Sequence, residues 1–423
     1  MSINKRIIVI LLILLFFGCS LNKSISLIKN PGAVNPDMKT GLEVLLDSKL
    51  SSLYGKNIAL VTNHSGIDRN GNSNISLLMK NSSINSVKIF TPEHGFTGNI
   101  PAGEHIEYGT VQTKFPPIIS LYGSNRKPTA ESLENVELII YDIQDVGARF
   151  YTYISTLGLV MEAAAETNIP VMVLDRPNPI GNRVAGPLLN AANKSFIGMY
   201  PIPIQYGMTV GELAKMIVGE KLIDSTPELK IIPMQYYKRN SFFDELNLPW
   251  VKPSPNIPDL ETALIYPGFC LFEATNVSEG RGTYQPFKQI GAPWVNPNSL
   301  IQLLHKQNLK GVEFQTVHFT PISIPTMSKY PKYENQKCFG IQLEITNRES
   351  FNSILTGLTT LWAINKLFPD SLVINKSSLG RIWGSDDLYF YLKEGKTPQE
   401  ILNGHLPDLD QFQLIREKYL IYD

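Results

Sequence analysis

The alternation of apolar and polar stretches along the chain predicts a layered α/β fold. Four short β-rich runs, at 58–61, 87–90, 138–141 and 171–174, each stop at a cluster of polar, glycine or proline residues. The clusters are Thr62-Asn63-His64-Ser65-Gly66, Thr91-Pro92-Glu93-His94-Gly95, the stretch from Asp142 to Tyr153, and Asp175-Arg176-Pro177-Asn178-Pro179. Helical patterning lies between several of these runs, at 73–79, around Ser132 and Leu133, and at 157–167. Ahead of them, Leu42, Leu45, Leu46, Leu50 and Leu53 share one helical face. Short buried strands alternating with helices predict a parallel sheet covered on both sides.

Segments 196–203, 209–218 and 229–234 continue the alternation, and Thr209 with Glu212 has the spacing of a capping box. Four prolines between 249 and 258 mark a boundary. Beyond it, strands are expected at 262–272, 311–319 and 340–346, with helices at 299–306, 351–367 and 410–419. The expected architecture is α/β: a Rossmann-like, mostly parallel sheet with helices on both faces over 38–259. A smaller α+β domain over 260–423 follows and completes a cleft. No G-x-G-x-x-G follows the first strand, so a dinucleotide is not supported and no cofactor is expected.

A chain of 423 residues, 43% hydrophobic and 18% charged, has a globular composition and room for two domains. Its net charge is zero, which offers no concentrated cationic surface for nucleic acid. The amino terminus adds a compartment. Lys5-Arg6, an apolar run at 7–17 and Gly18-Cys19 read as a signal peptide over 1–18. The apolar run is short for a membrane span. Cys19 is then the lipidated first residue, and the polar stretch 19–37 is a flexible tether. The expected location is the cell envelope, periplasmic or outer-membrane-associated, with the membrane as a partner through that lipid. Plain secretion and an uncleaved anchor are the alternatives.

Strand ends of a parallel sheet lie along one edge, where ligands bind. That edge would gather Asn63, Glu93, His94, Asp142, Asp145, Arg149, Asp175 and Arg176. Glu93 is the sharpest candidate: Pro92 fixes its approach, Gly95 permits a tight turn, and a carboxylic acid there can serve as general acid. His64, His94, His105 and Asp142 match no compact metal spacing, so no metal is expected. Asp142 and Asp145 can both face a cleft. Arg149 can pair with one of them or meet substrate. Tyr151 and Tyr153 would share a face of an extended segment. Arg176, on a turn stiffened by two prolines, presents a planar fork for a carboxylate or pairs with Asp175. Past the boundary, Glu273, Asn276, Glu279 and Arg281 form a polar loop, with Gly280 and Gly282 bracketing the arginine. No G-x-S-x-G, P-loop or C-x-x-C is present, which leaves serine-nucleophile, nucleotide-hydrolysing and redox readings without their defining residues.

Several of these motifs occur together in one order. They are Leu60-Val61-Thr62-Asn63, Pro92-Glu93-His94-Gly95-Phe96, Asp142 through Tyr153, Leu174 through Gly181, Gly207-Met208-Thr209-Val210-Gly211-Glu212-Leu213, Pro253-Ser254-Pro255-Asn256 and Asn276 through Thr283. In this the chain resembles the exo-β-N-acetylmuramidases of glycoside hydrolase family 171, formerly a domain of unknown function. The resemblance covers nearly everything after the tether. It implies a glycosidase with its cleft at the domain interface, acting on peptidoglycan fragments (MurNAc-GlcNAc saccharides) and releasing N-acetylmuramic acid from the non-reducing end. It places a candidate catalytic glutamate on Glu93 and a candidate tyrosine on Tyr151 or Tyr153. Asp142 or Asp145 is then the expected second carboxylate. Arg149, Arg176 and Arg281 are the forks open to the lactyl acid of the sugar. A non-catalytic envelope lipoprotein that binds muramic-acid-containing wall fragments is the competing reading.

Overall fold

The computed structural model describes residues 38–98 and 116–423. The leader with Cys19, the tether and His105 lie outside the described residues. Among the described residues, six strands form the main sheet: β1 (Asn57–Thr62), β2 (Ser86–Thr91), β3 (Ile118–Ser120), β4 (Leu138–Asp142), β5 (Val171–Leu174) and, further along, β8 (Leu229–Ile232). Between β5 and β8, β6 (Val184–Leu188) and β7 (Pro203–Tyr206) pair as a separate antiparallel ladder. The main sheet has the order β3-β2-β1-β4-β5-β8, and every pairing in it is parallel.

Every position of β4 and β5 is buried, as expected of central strands covered on both faces. Their alternation divides two cores. Ile58, Leu60, Leu138 and Ile140 pack with α1 (Gly41–Val44) and α2 (Asn74–Met79) on one face. Ala59, Val61, Ile139 and Tyr141 pack on the other with α3 (Tyr153–Thr167) and α4 (Val210–Gly219). The capping box expected at Thr209 and Glu212 starts α4.

The second half opens with α5 (Leu260–Phe269) and a 3₁₀ turn (Cys270–Ala274). This corrects the strand expected at 262–272. Asp259 Oδ1 accepts the Thr262 N–H at 2.8 Å and starts a helix. The helix has no polar stripe because α7 (Ser353–Leu367) covers one side and the cleft wall forms the other; the Cβ position of Gly357 lies 2.2 Å from the Gly268 carbonyl oxygen. After α5 come β9 (Gln289–Ala292), α6 (Pro297–His305), β10 (Val312–Phe319) and β11 (Cys338–Ile345). They make a three-stranded antiparallel sheet in the order β10-β11-β9. Four helices follow α7: α8 (Lys376–Trp383), α9 (Asp387–Glu394), α10 (Pro398–Asn403) and α11 (Leu406–Glu417). The chain then returns to the main sheet, where the Tyr422 hydroxyl donates to Asp175 Oδ2 at 2.6 Å.

Candidate active site

In the order β3-β2-β1-β4-β5-β8 the winding reverses between β1 and β4, which opens a crevice at their carboxyl ends. A cleft of roughly 540 Å³ of empty space, open to solvent, lies here between the two halves of the chain. Glu93, His94, Tyr151 and Thr152 line it from the main sheet, and Ser254 and Asn256 from the proline-rich segment. Tyr266, Glu273, Arg281 and Phe287 close it from the second half.

Glu93 sits in a turn whose Gly95 N–H donates to the Pro92 carbonyl at 3.1 Å. His94 (φ 70°) and Gly95 (φ 67°) both take the left-handed conformation, an uncommon state for histidine and one that re-aims the chain directly after the glutamate. The residue is 8% exposed, and its side chain accepts a 2.7 Å hydrogen bond from the Thr152 hydroxyl at Oε2. The carboxyl is therefore oriented by the turn that follows β4, although it stands after β2.

That turn bends at Gly147 (φ 81°), where an added Cβ would meet Asn178 Oδ1 at 2.3 Å. It separates the two tyrosines. Their rings pack edge to face at 4.8 Å, yet only Tyr151 lines the cleft. Its hydroxyl is buried against that of Tyr153 and makes no well-formed hydrogen bond among the described residues. Tyr153 begins α3 and is locked: its hydroxyl donates to the Pro253 carbonyl at 2.6 Å and accepts from Asn63 Nδ2 at 2.9 Å. The shared face expected for Tyr151 and Tyr153 is lost because the chain turns helical between them. Asn63, whose Oδ1 accepts the Ser65 N–H at 2.9 Å, braces this junction and does not reach the cleft.

Neither aspartate of the stretch faces the cleft. Asp142 is wholly buried against Arg176, whose Nε and Nη2 donate to its two oxygens at 2.5 and 3.1 Å, and Asn74 Nδ2 adds a third bond at 2.7 Å. Arg176 also donates to the Ile67 carbonyl at 3.0 Å and lines a separate crevice with Phe243 and Pro249. The two charges expected to serve substrate thus satisfy each other. Asp145 accepts the Gly147 N–H at 2.7 Å and the Tyr206 hydroxyl on one oxygen, and its other oxygen is buried without a well-formed hydrogen bond among the described residues. Burial pushes its carboxyl up to about 6 against the pull of those hydrogen bonds. Burial raises Asp175 likewise to about 6; that residue caps α4 by accepting Gly211 N–H at 2.8 Å and Thr209 Oγ1 at 2.7 Å.

Arg149 is the largest correction. It is fully buried and spends its guanidinium on four backbone carbonyls: Pro187 at 2.7 Å, Ile202 at 2.8 Å, Ile382 at 2.9 Å and Trp383 at 2.8 Å. It fastens the β6–β7 ladder to the end of α8. It is therefore not available to a substrate acid.

Of the three arginines only Arg281 reaches the cleft. Its Nη2 donates to Glu273 Oε1 at 2.6 Å, Glu279 Oε1 lies 3.5 Å from its Nε, and its guanidinium stands 5.3 Å from the centre of the Phe287 ring. Glu279 is held from behind by Lys332 Nζ at 2.8 Å. Asn276 pins the loop to the segment before α8, donating to the Ser371 carbonyl and accepting from Val373 N–H, both at 2.9 Å, so its role is structural. Phe287 adopts φ 63° with its ring fully buried, a strained state for an aromatic residue held in place by its N–H bond to Glu279 O at 2.7 Å. Thr152 and Tyr266 are cleft residues that the sequence reading did not single out. Thr152 sits between two more conspicuous tyrosines, and Tyr266 lies in the segment expected as a strand.

The comparisons with known proteins agree with this architecture. The family model for the N-terminal part of exo-β-N-acetylmuramidase NamZ matches residues 58–261, and that for its C-terminal part matches 264–422. The peptidoglycan β-N-acetylmuramidase NamZ of Bacillus subtilis (strain 168) is 40% identical over 396 residues, covering 93% of this chain and 94% of that protein. Crystal structures of two DUF1343 family proteins from Bacteroides fragilis superpose on it. One has a TM-score of 0.83 and 31% identity, covering 91% of this chain and 99% of that one. The other has a TM-score of 0.73 and 32% identity, covering 92% and 99%. Matched over both halves, with its switch-point cleft shared between them, the chain belongs to the exo-β-N-acetylmuramidase NamZ family.

Proposed function

We propose that the protein is an exo-acting glycosidase that releases N-acetylmuramic acid from the non-reducing end of peptidoglycan-derived glycans. The observation that carries this reading is Glu93: a residue 8% exposed that lines the cleft, its carboxyl oriented by Thr152 at 2.7 Å, with Tyr151 and Arg281 on the same cleft. Binding alone calls for no acid in that place. In the reaction Glu93 donates a proton to the leaving glycosidic oxygen. Tyr151 lines the cleft beside it, its hydroxyl buried beneath the sugar. Arg281 has five N–H donors, more than Glu273 and Glu279 take up, and receives the lactyl carboxylate. The test offers the purified protein two disaccharides, one with N-acetylmuramic acid and one with N-acetylglucosamine at the non-reducing end, and follows the free sugars by mass spectrometry. Release from the first alone is expected. Release from neither, or from both equally, would overturn the reading.

The same reading places the enzyme at the cell envelope. Lys5-Arg6, the apolar run at 7–17 and Gly18-Cys19 support lipid attachment at Cys19. Fatty-acid labelling that survives in the Cys19→Ala variant would exclude it.

A further inference from the structure

Resting on the glycosidase reading, we propose that Glu273 is the second catalytic carboxylate: it draws a proton from the attacking water, and the sugar leaves with inverted configuration. Glycoside hydrolysis commonly needs an acid and a second carboxylate flanking the scissile bond. Six carboxylates come near the strand ends or the 273–281 loop. Asp142 is consumed by Arg176, Asp175 caps α4, and Asp145 is sealed beneath the turn by Tyr206 and Gly147. Glu279 is drawn to Lys332 at 2.8 Å. Glu93 and Glu273 alone among these six line the cleft.

The two come from different halves of the chain and differ in the way an acid and a base should. Glu93 is nearly closed off, whereas the Glu273 side chain is 32% exposed, so water reaches it. Arg281 takes Glu273 Oε1 at 2.6 Å and so holds the carboxylate at the cleft wall, with Oε2 outside that bond. Arg281 is itself braced by Glu279 and Phe287, so the base stands on a rigid support.

The step balances. Glu273 takes one proton from water as the water oxygen bonds to the anomeric carbon. The bond from that carbon to the glycosidic oxygen breaks, its electron pair stays on the oxygen, and the oxygen receives the proton of Glu93. The products are the α-anomer of the free sugar and a glycan with a new hydroxyl. Glu93 ends ionised and Glu273 protonated, and solvent restores both.

The experiment uses the full chain with Glu273→Gln and Glu273→Ala, a β-muramide disaccharide and an aryl β-muramide. The expected kcat falls by about 10²- to 10⁴-fold with KM within about threefold. Azide should restore turnover of the aryl substrate in Glu273→Ala, giving the α-glycosyl azide, and the first sugar released by the wild type should be the α-anomer by NMR. A carboxylate that merely anchors Arg281 would raise KM and show no azide rescue. Either that result, a kcat within threefold of wild type, or a β-anomer as first product would overturn the assignment. Glu273→Gln, nearly isosteric, reads the same effect if the alanine variant does not fold. Failure of the wild type to release any sugar would instead refute the glycosidase reading beneath it.

Discussion

Replacing Arg149 with methionine separates a structural arginine from a substrate-reading one. Methionine fills much of the same volume but strands the four carbonyls that the guanidinium serves, those of Pro187, Ile202, Ile382 and Trp383. A buried acceptor left without a partner costs about 1–3 kcal/mol. Four of them give a gross loss on the order of 8 kcal/mol. Part is returned because a fully buried charge no longer has to be desolvated, an effect large enough to push the Arg149 guanidinium down to about 9. A net loss of about 4 kcal/mol is expected, a large share of the roughly 5–15 kcal/mol that holds a typical domain together. With an m-value of roughly 4 kcal/mol/M for a chain this long, the urea midpoint should fall by about 1 M. Trp383, buried beside the guanidinium, is one of four tryptophans whose fluorescence follows the transition. Below the transition, kcat/KM should stay within about threefold of wild type. A variant as stable as wild type with a KM raised tenfold or more would refute the reasoning and return Arg149 to the substrate.

Three further outcomes follow from the same contacts. Tyr151→Phe removes a buried hydroxyl that meets only the Tyr153 hydroxyl and makes no well-formed bond among the described residues, so stability should hold while kcat drops at least tenfold; Tyr153→Phe breaks two bonds and should lose about 1–2 kcal/mol, and the opposite pattern in the pair would exchange their roles. Asp145 has a folded-state pKa of about 6, above the ordinary carboxylate range, so its contribution to stability is complete below about pH 4 and is lost as pH rises through 6. Asp145→Asn cannot titrate, so thermal melts should show wild type losing ground to it between pH 4 and 7; parallel curves would contradict the assignment. Thr152→Val keeps the shape but removes the 2.7 Å bond to Glu93, and the alkaline limb of the kcat profile, where the general acid loses its proton, should move while KM does not. An unmoved profile would remove Thr152 from the orientation of the acid.

The parallel sheet is legible in the sequence because its central strands are buried on both faces. Runs such as Leu138–Asp142 and Val171–Leu174 can be read without knowing their neighbours. The helix α5 is not legible in that way. Its apolar residues surround the axis, and continuous apolarity carries no period to distinguish helix from strand. The Asp259 cap was the available signal. The cleft's location is similarly visible as four polar strand ends. Which of those side chains face it is decided by partners distant in the chain. Asp142 and Arg176 satisfy each other across 34 residues, and Arg149 reaches a carbonyl 234 residues away. A sequence shows that a charge is present at a strand end but not that it is already spent.

Turnover depends on the proton of Glu93, and Glu93→Gln tests this on two leaving groups. A natural disaccharide leaves as a poor alkoxide and needs the acid; an aryl glycoside with a good leaving group needs it far less. In Glu93→Gln, kcat/KM for releasing N-acetylmuramic acid from the disaccharide should fall by at least about 10³-fold, with a much smaller loss on the aryl substrate and an unchanged thermal midpoint. Undiminished release from the disaccharide, or equal losses on both substrates, would contradict it.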